Sequence, residues 1–380
     1  MPKYYLYLPP PSAKSYHPLH HLLYLTVWKP YLENHPDWVS TGDPSQCDLS
    51  NRDPIKSLQE FPNVPGAGKI FHHISVFPVQ WLTEKVPCAK LLKKNVAPFH
   101  LDSRASYYPP TFIFDTKNPD LTMVQYLSST KKLNSKNNHQ IIWYYKPSRG
   151  GGTKNITLSH SFKKLYQHAC TEKKPAVLQR EISNPLLYQG KKTEIRWYLV
   201  ITYNPTLKNP VQFWWWPQGY LVVSPRPYQQ SNLDTSHHFT NRCTSTEKER
   251  QTQVYQMTTR EFCQSCPDYN RNFLDSQGKD LIGDICDRLR STKIFQDKKS
   301  LYDKNLNFQY EVFAVDCIWS SLDHQLSLVE INRYPGLYLS RDIPSCRKLK
   351  TDFYQAILRE FIEPWLKNKS ISPNNSFTLL

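Results

Sequence analysis

Residues 311–332, EVFAVDCIWSSLDHQLSLVEIN, consist of two runs of β-branched, aliphatic and aromatic residues on either side of Ser320-Ser321-Leu322-Asp323. Runs of this kind around a turn-prone tetrapeptide read as an antiparallel hairpin. Pairing symmetric about Asp323 places Asp316 directly opposite Glu330, and like charges so placed destabilise a sheet unless a counter-charge joins them. Strand periodicity puts Asn332 on the face of Glu330, one step along. Two carboxylates and an amide converging on one point are hard oxygen ligands of the kind Mg²⁺ takes, with positions left for phosphate oxygens. Carboxylates at a strand end in water would need no such ligand, so the hairpin alone leaves both readings open.

Outward from the hairpin, composition narrows the choice. At 380 residues, 39% apolar and 13% aromatic, the chain is long enough for two or three domains or one enzyme core with subdomains, and it can bury a core. No run approaches the apolar length of a membrane span, and MPKYYLYLPPPSAK lacks a signal-peptide layout, so a cytoplasmic protein is expected. Nine cysteines, mostly isolated, fit reduced thiols; Cys263-Gln-Ser-Cys266 has no second pair at zinc spacing. The net charge of +16 calls for an acidic or polyanionic partner. Residues 131–200 hold fourteen Lys and Arg against three Glu, +11 of that total, which places a phosphate or acidic-polymer site there.

Regular structure is readable from residue 69 onward; residues 1–68 carry weak periodicity. Strands are expected at 70–77, 111–114, 141–146, 177–182, 193–202 and 211–216. Helices are expected at 82–95, weakened by Pro87, within 116–138, around 159–168, and at 280–290. Residues 229–275 read as a polar inserted loop. Leu349, Phe353, Ile357 and Phe361 form a helical stripe that Pro364 should end. The order of strands and helices, with hairpins late in the chain, indicates an α+β fold with a mixed sheet.

Three further stretches carry chemistry. Residues 141–156, IIWYYKPSRGGGTKNI, run from an apolar strand through Lys146 into Gly150-Gly151-Gly152. Glycine N–H groups can cradle phosphate oxygens and Lys146 adds a point charge, although a flexible hairpin connection has the same composition. Gln179-Arg180-Glu181-Ile182 ends a strand where backbone groups could bond a nucleobase edge. In Lys192-Thr193-Glu194-Ile195-Arg196, alternation places Lys192, Glu194 and Arg196 on one face, either solvated or turned toward a charged ligand.

In order and spacing these pieces resemble the tubulin tyrosine ligase-like proteins, ATP-grasp amino-acid ligases, over about residues 70–365. Lys146-Pro147 with the glycines is similar to that family's phosphate loop, and Gln179-Arg180-Glu181-Ile182 to its adenine hinge. Pro185-Leu186-Leu187 and Gly190-Lys191-Lys192-Thr193-Glu194-Ile195-Arg196 resemble its "PLL…GxKFDIR" element. Ser224-Pro225-Arg226-Pro227-Tyr228 resembles "S-x-PY", and His238-Phe239-Thr240-Asn241 resembles "HLTN". Asp316, Glu330 and Asn332 match its metal triad and Pro335-Gly336-Leu337 the following turn, while Phe71-His72-His73-Ile74 and Leu82-Thr83-Glu84-Lys85 resemble its amino-terminal region.

The resemblance implies an ATP-grasp fold with mixed and antiparallel sheets and a smaller amino-terminal α/β domain at 69–115. A central subdomain at 116–184 would carry the phosphate loop and a carboxy-terminal one at 185–370 the metal site, with a tail at 371–380. It implies ATP held by Lys146, Gly150, Gly151, Gly152, Gln179, Arg180, Ile182, Lys192 and Asn241, and one or two Mg²⁺ on Asp316, Glu330 and Asn332. Arg196, Lys192, Glu194 and His238 would serve the chemistry. That chemistry joins an amino acid (Tyr, Glu or Gly) to a carboxylate of an acidic tail such as tubulin's, with cytoskeletal association. Two positions depart from the family pattern: Thr153 stands where a glycine is expected, with Asn155 able to turn left-handed, and Val222 stands where the family has an Arg, with Arg226 as the nearest stand-in. The departures define a rival, a non-catalytic binder of an acidic partner. Nucleic-acid binding through Trp214-Trp215-Trp216 is a further alternative, against which alternation sends at least one indole into the core.

Overall fold

The computed structural model describes residues 2–5, 27–41, 49–50, 70–71, 79–93, 107–114, 116–133, 141–150, 155–204, 206–240, 256–292, 308–333, 343–367, 369 and 376–380. The expected helix at 82–95 is two pieces, a turn at Gln80–Thr83 and α1 (Lys85–Lys93), broken at Glu84 rather than at Pro87. Pro87 falls in the first turn of α1, where a backbone N–H has no intrahelical partner to lose.

A small antiparallel sheet follows, built from β1 (Thr111–Phe114), α2 (Pro119–Leu133), β2 (Trp143–Pro147), β3 (Thr157–Ser159), α3 (Phe162–Glu172) and β4 (Ala176–Arg180), with strand order β1-β4-β2-β3. Ser161 caps α3 by accepting from the Lys164 N–H, and Phe162, Leu165 and Ala169 at helical spacing bury against Phe112, Trp143 and Leu178. The opposite face, with Ile142 and Tyr144, packs against Phe239.

The large sheet contains β5 (Lys191–Tyr203), β6 (Val211–Val223), β7 (Gln256–Thr258), β8 (Phe308–Ser320) and β9 (Gln325–Arg333), with helices α4 (Arg271–Arg290) and α5 (Pro344–Ile357). Its order is β7-β6-β5-β8, and β9 pairs with the turn-proximal half of β8. From the start of β8 the sheet continues through parallel strands Ile70–Phe71, Leu49–Ser50, Lys3–Tyr5 and Val39–Ser40, making it mixed as expected. The α+β class read from the order of elements is the one observed.

Alternation sorts the core. Ile195, Trp197, Leu199 and Ile201 of β5 pack on the α4 side, Tyr198 and Val200 on the α5 side. Trp215 joins the first cluster and Trp214 and Trp216 the second, so all three indoles are core and none offers a stacking platform.

Strand β6 runs through Pro217 past Trp216, its expected end. Arg196 pairs with Tyr220 and Tyr198 with Trp216, so Pro217-Gln218-Gly219 oppose Trp197 alone. This is a bulge, where a proline removes no ladder bond. A Cβ on Gly219 would lie 2.8 Å from the Trp197 indole nitrogen, and one on Gly278 of α4 would lie 3.0 Å from the same ring, so two glycines form the slot that holds it.

The stretch read as an inserted loop is partly regular. Gln256–Thr258 is the edge strand, Thr259–Ser265 is a helix opened by a Thr258/Glu261 capping box, and α4 begins at its Asn270 cap, ten residues before the expected start. Cys263 and Cys266 are free thiols packed against the core. The α5 stripe continues through a π turn (Leu358–Ile362) into Glu363–Leu366, and Pro364, in the first turn of that last segment, does not end it. Of residues 1–68, the segment 27–41 packs on this helix. The Trp28 indole donates to the Tyr354 carbonyl (3.2 Å), and Glu363 accepts from Tyr31 (3.0 Å) and Trp38 (3.1 Å). No described helix is long and apolar enough to cross a membrane.

Candidate active site

The hairpin carries its carboxylates as its pattern requires, with one irregularity. Asp316 pairs with Glu330, yet Cys317 pairs with Leu328, so Val329 is an extra, bulged residue. Symmetric pairing about Asp323 therefore holds on the site side of the bulge and slips by one toward the turn. The Asn332 amide donates to Asp316 (2.7 Å) and to Glu330 (2.9 Å), bridging the pair. From the neighbouring β5, Arg196 donates to both Asp316 oxygens, Nε at 2.5 Å and Nη2 at 2.6 Å. Burial alone would lower the Arg196 guanidinium, but Asp316 holds it well above its ordinary range.

Glu194 is two residues from Arg196 on the same strand face. Burial first, then the Asp316 charge, push its carboxyl up to about 7, against a bond of 2.6 Å donated by Thr240. Among the described residues no three His, Cys, Asp or Glu side chains converge at metal spacing. The set is instead two facing carboxylates completed by an amide, with a third carboxyl near enough to feel their charge. Hard oxygen donors of this kind suit a hard divalent cation.

Cations face this cluster from the small sheet. Lys146 on β2 donates to the Gln179 amide oxygen (2.7 Å), and Gln179 donates in turn to Thr111 (3.0 Å). Burial pushes the Lys146 ammonium down to about 8, with Glu330 opposing the shift. Sequence reasoning gave no role to Lys85, which opens α1. Its ammonium lies 3.9 Å from Glu330 and donates to the Gly150 carbonyl (3.4 Å). Ser148 accepts the first N–H groups of α1 at both its carbonyl (from Lys85, 3.1 Å) and its hydroxyl (from Val86, 3.3 Å), so the segment that resembles a phosphate loop caps this helix. Gly150 and Asn155 both have positive φ, +136° and 63°, so Asn155 does turn left-handed. Gly151, Gly152 and Asn241 lie outside the described residues, as do Pro335, Gly336 and Leu337.

Lys192 and His238 are placed otherwise than expected. Lys192 is buried and donates to Glu181 (2.7 Å), which also accepts from Tyr144 (2.8 Å) and Tyr228 (3.1 Å) and lies 3.3 Å from His238 Nδ1. Burial would raise Glu181, but Lys192 and His238 hold it down to about 2. Arg180 is half-buried with Asp323 of the hairpin turn supporting its charge, away from the carboxylates, and Ile182 is buried. Val222 lies across β6 from Glu194, between it and Gln256 of β7. Arg226 is no stand-in on that face: the strand ends at Val223, and its guanidinium sits 3.8 Å from Asp234. A buried cation, Lys350 of α5, lies nearby with its ammonium 4.7 Å from the Tyr220 ring centroid. Thr240 and Glu181 were also missed, although both lie inside quoted motifs; what singles them out is a partner distant in sequence.

The hairpin carboxylates, faced by Lys146 of the small sheet and Lys85 of α1, form an arrangement suited to a polyphosphate. The profile of the Tubulin-tyrosine ligase family matches residues 71–371. The chain is 24% identical over 208 residues to Tubulin glycylase 3C of Tetrahymena thermophila, a match covering 53% of this chain and 19% of that protein. It is 33% identical over 106 residues to Tubulin monoglycylase TTLL3 of Homo sapiens, covering 26% of this chain and 13% of that protein. The matches thus span about a fifth or less of those relatives' own lengths. Since the profile covers well over half of the chain, including the hairpin and the Lys146 strand, the chain belongs to the tubulin-tyrosine ligase family.

Proposed function

We propose that the chain is an ATP-dependent ligase that joins an amino acid to a carboxylate of an acidic protein tail such as tubulin's. Glycine heads the candidate donors because the relatives cited are described as glycylases. The observation that carries the reading is the hairpin pair Asp316 and Glu330, bridged by Asn332 and faced across the cleft by Lys85 and Lys146.

Asp316, Glu330 and Asn332 would hold Mg²⁺, which when bound supplies charge neutralisation for phosphate oxygens. ATP is consumed as a substrate. Lys146 and Lys85 neutralise its terminal phosphates while the γ-phosphoryl passes to the acceptor carboxylate, leaving ADP and an acyl phosphate. The neutral amine of the incoming amino acid attacks the acyl carbon, phosphate departs, and an amide remains. Arg196, fixed by Asp316, would turn the N–H groups that Asp316 leaves over toward an acceptor or donor carboxylate. Glu194, near 7, is suited to take the proton the amine sheds. The basic 131–200 stretch would draw an acidic tail, and cytoskeletal association would follow from that substrate.

A second reading is favoured by a specific observation. Val222 brings no cation beside Glu194, and Arg196 is spent on Asp316. On this view the fold binds nucleotide and an acidic partner without turnover. Mass spectrometry of tubulin tails after incubation with the protein, MgATP and all amino acids separates the two. A discrete increment absent with Glu330→Gln supports the ligase and identifies its donor; no increment, with MgATP binding intact, leaves the binder.

A further inference from the structure

The buried carboxylate of Glu181 gathers groups from both sheets. It follows β4 directly, and its own N–H donates to the Ile142 carbonyl (2.8 Å), fixing it to the small sheet. Its Oε1 accepts from Tyr144 of β2, from Lys192 of β5 and faces His238; its Oε2 accepts from Tyr228. Lys192 also donates to the Tyr144 hydroxyl (3.3 Å), and its ammonium sits 5.7 Å from the ring centroids of both Tyr144 and Tyr228. The other His238 nitrogen meets the Asn232 carbonyl, so both ring nitrogens face acceptors.

Lys192 has a second carboxylate within reach. Glu194 lies two residues along on the same strand face and feels the Lys192 charge. Its ammonium is nonetheless bound to the Glu181 carboxylate, on the small-sheet side.

We propose that Glu181 is a positioning residue of the nucleotide cleft: it clasps the two sheets through Lys192 and holds that ammonium apart from Glu194, without itself touching the nucleotide. The proposal rests on the reading of the cleft as an ATP site. The test is a double-mutant cycle of Glu181→Gln, Lys192→Met and the double variant, reading Tm without nucleotide and the Kd for MgATP by calorimetry. Each single change leaves one buried charge unmatched and should lower Tm, and the double should recover it. Glu181→Gln should weaken MgATP at least tenfold, and the double should stay weak despite its recovered Tm. Recovery of affinity together with Tm would reduce the pair to a structural one and overturn the proposal, as would a Glu181→Gln protein that binds like the parent. Should Glu181→Gln fail to fold, Tyr228→Phe removes one donor and leaves both charges; a several-fold weaker Kd at unchanged Tm supports the proposal, and an unchanged Kd overturns it. A parent chain that does not bind MgATP fails differently, since it removes the proposed function while the cycle in Tm still reports the clasp.

Discussion

Lys146 shows how one buried charge ties folding to ligand. Its ammonium is held at about 8 against an ordinary 10.5, so between those values the folded chain binds fewer protons than the unfolded one. The cost of burying the charge, about 3 kcal/mol at this shift, is present in full below pH 8 and relieved as pH rises toward 10.5. A bound triphosphate needs the charged form, so MgATP affinity should fall above pH 8. In Lys146→Met that slope should vanish and affinity at pH 7 should drop at least tenfold, as a fluorescent nucleotide titration from pH 7 to 9.5 would show. Lys146 stands out in the sequence because a strand ending in Lys before glycines is a local pattern. That Gln179 holds it was not legible, since the two side chains meet only when β2 and β4 pair.

At the scale of elements, the hairpin was legible because a strand has period two and the turn residues are explicit. The Val329 bulge was not, because an extra residue leaves the alternation of types almost unchanged. Deleting Val329 should remove the bulge and leave Glu330 opposite Asp316, since Leu328 already pairs with Cys317. Mg²⁺-dependent nucleotide affinity should then stay well above that of Glu330→Gln, while circular dichroism stays that of the parent. The row Lys192, Glu194, Arg196 was read correctly as one face, but its partners were invisible: Arg196 meets Asp316 from 120 residues away. The extension of β6 beyond Pro217 was missed because a proline ordinarily stops a strand, and only the opposing indole explains the bulge. Gly219→Ala should force Trp197 from its slot and cost about 1–3 kcal/mol in urea denaturation.

Across the whole molecule, the segment 27–41 had no legible assignment, since its apolar residues follow neither period clearly. In the structure it closes one side of the core: Trp28, Leu32 and Trp38 bury with Tyr310, Tyr354 and Phe361, and Glu363 ties it down through two hydrogen bonds. A chain lacking residues 1–41 should expose that apolar surface, bind the dye ANS and unfold many degrees lower in calorimetry, even though no residue of the proposed site is removed. The α+β class survived these gaps because it depends on the order of elements rather than on their exact ends.

The two halves of the site differ in how far apart in the chain their members lie. Asn332 bridges to Asp316 across sixteen residues, whereas Arg196 reaches it across 120. During folding the acidic half is therefore a local hairpin, quick to close, and its neutralising partners arrive only with the slower assembly of β5. For that interval the hairpin holds two carboxylates bridged only by the neutral Asn332 amide. Divalent cations should thus act as folding catalysts for this chain, raising the refolding rate more than they slow unfolding.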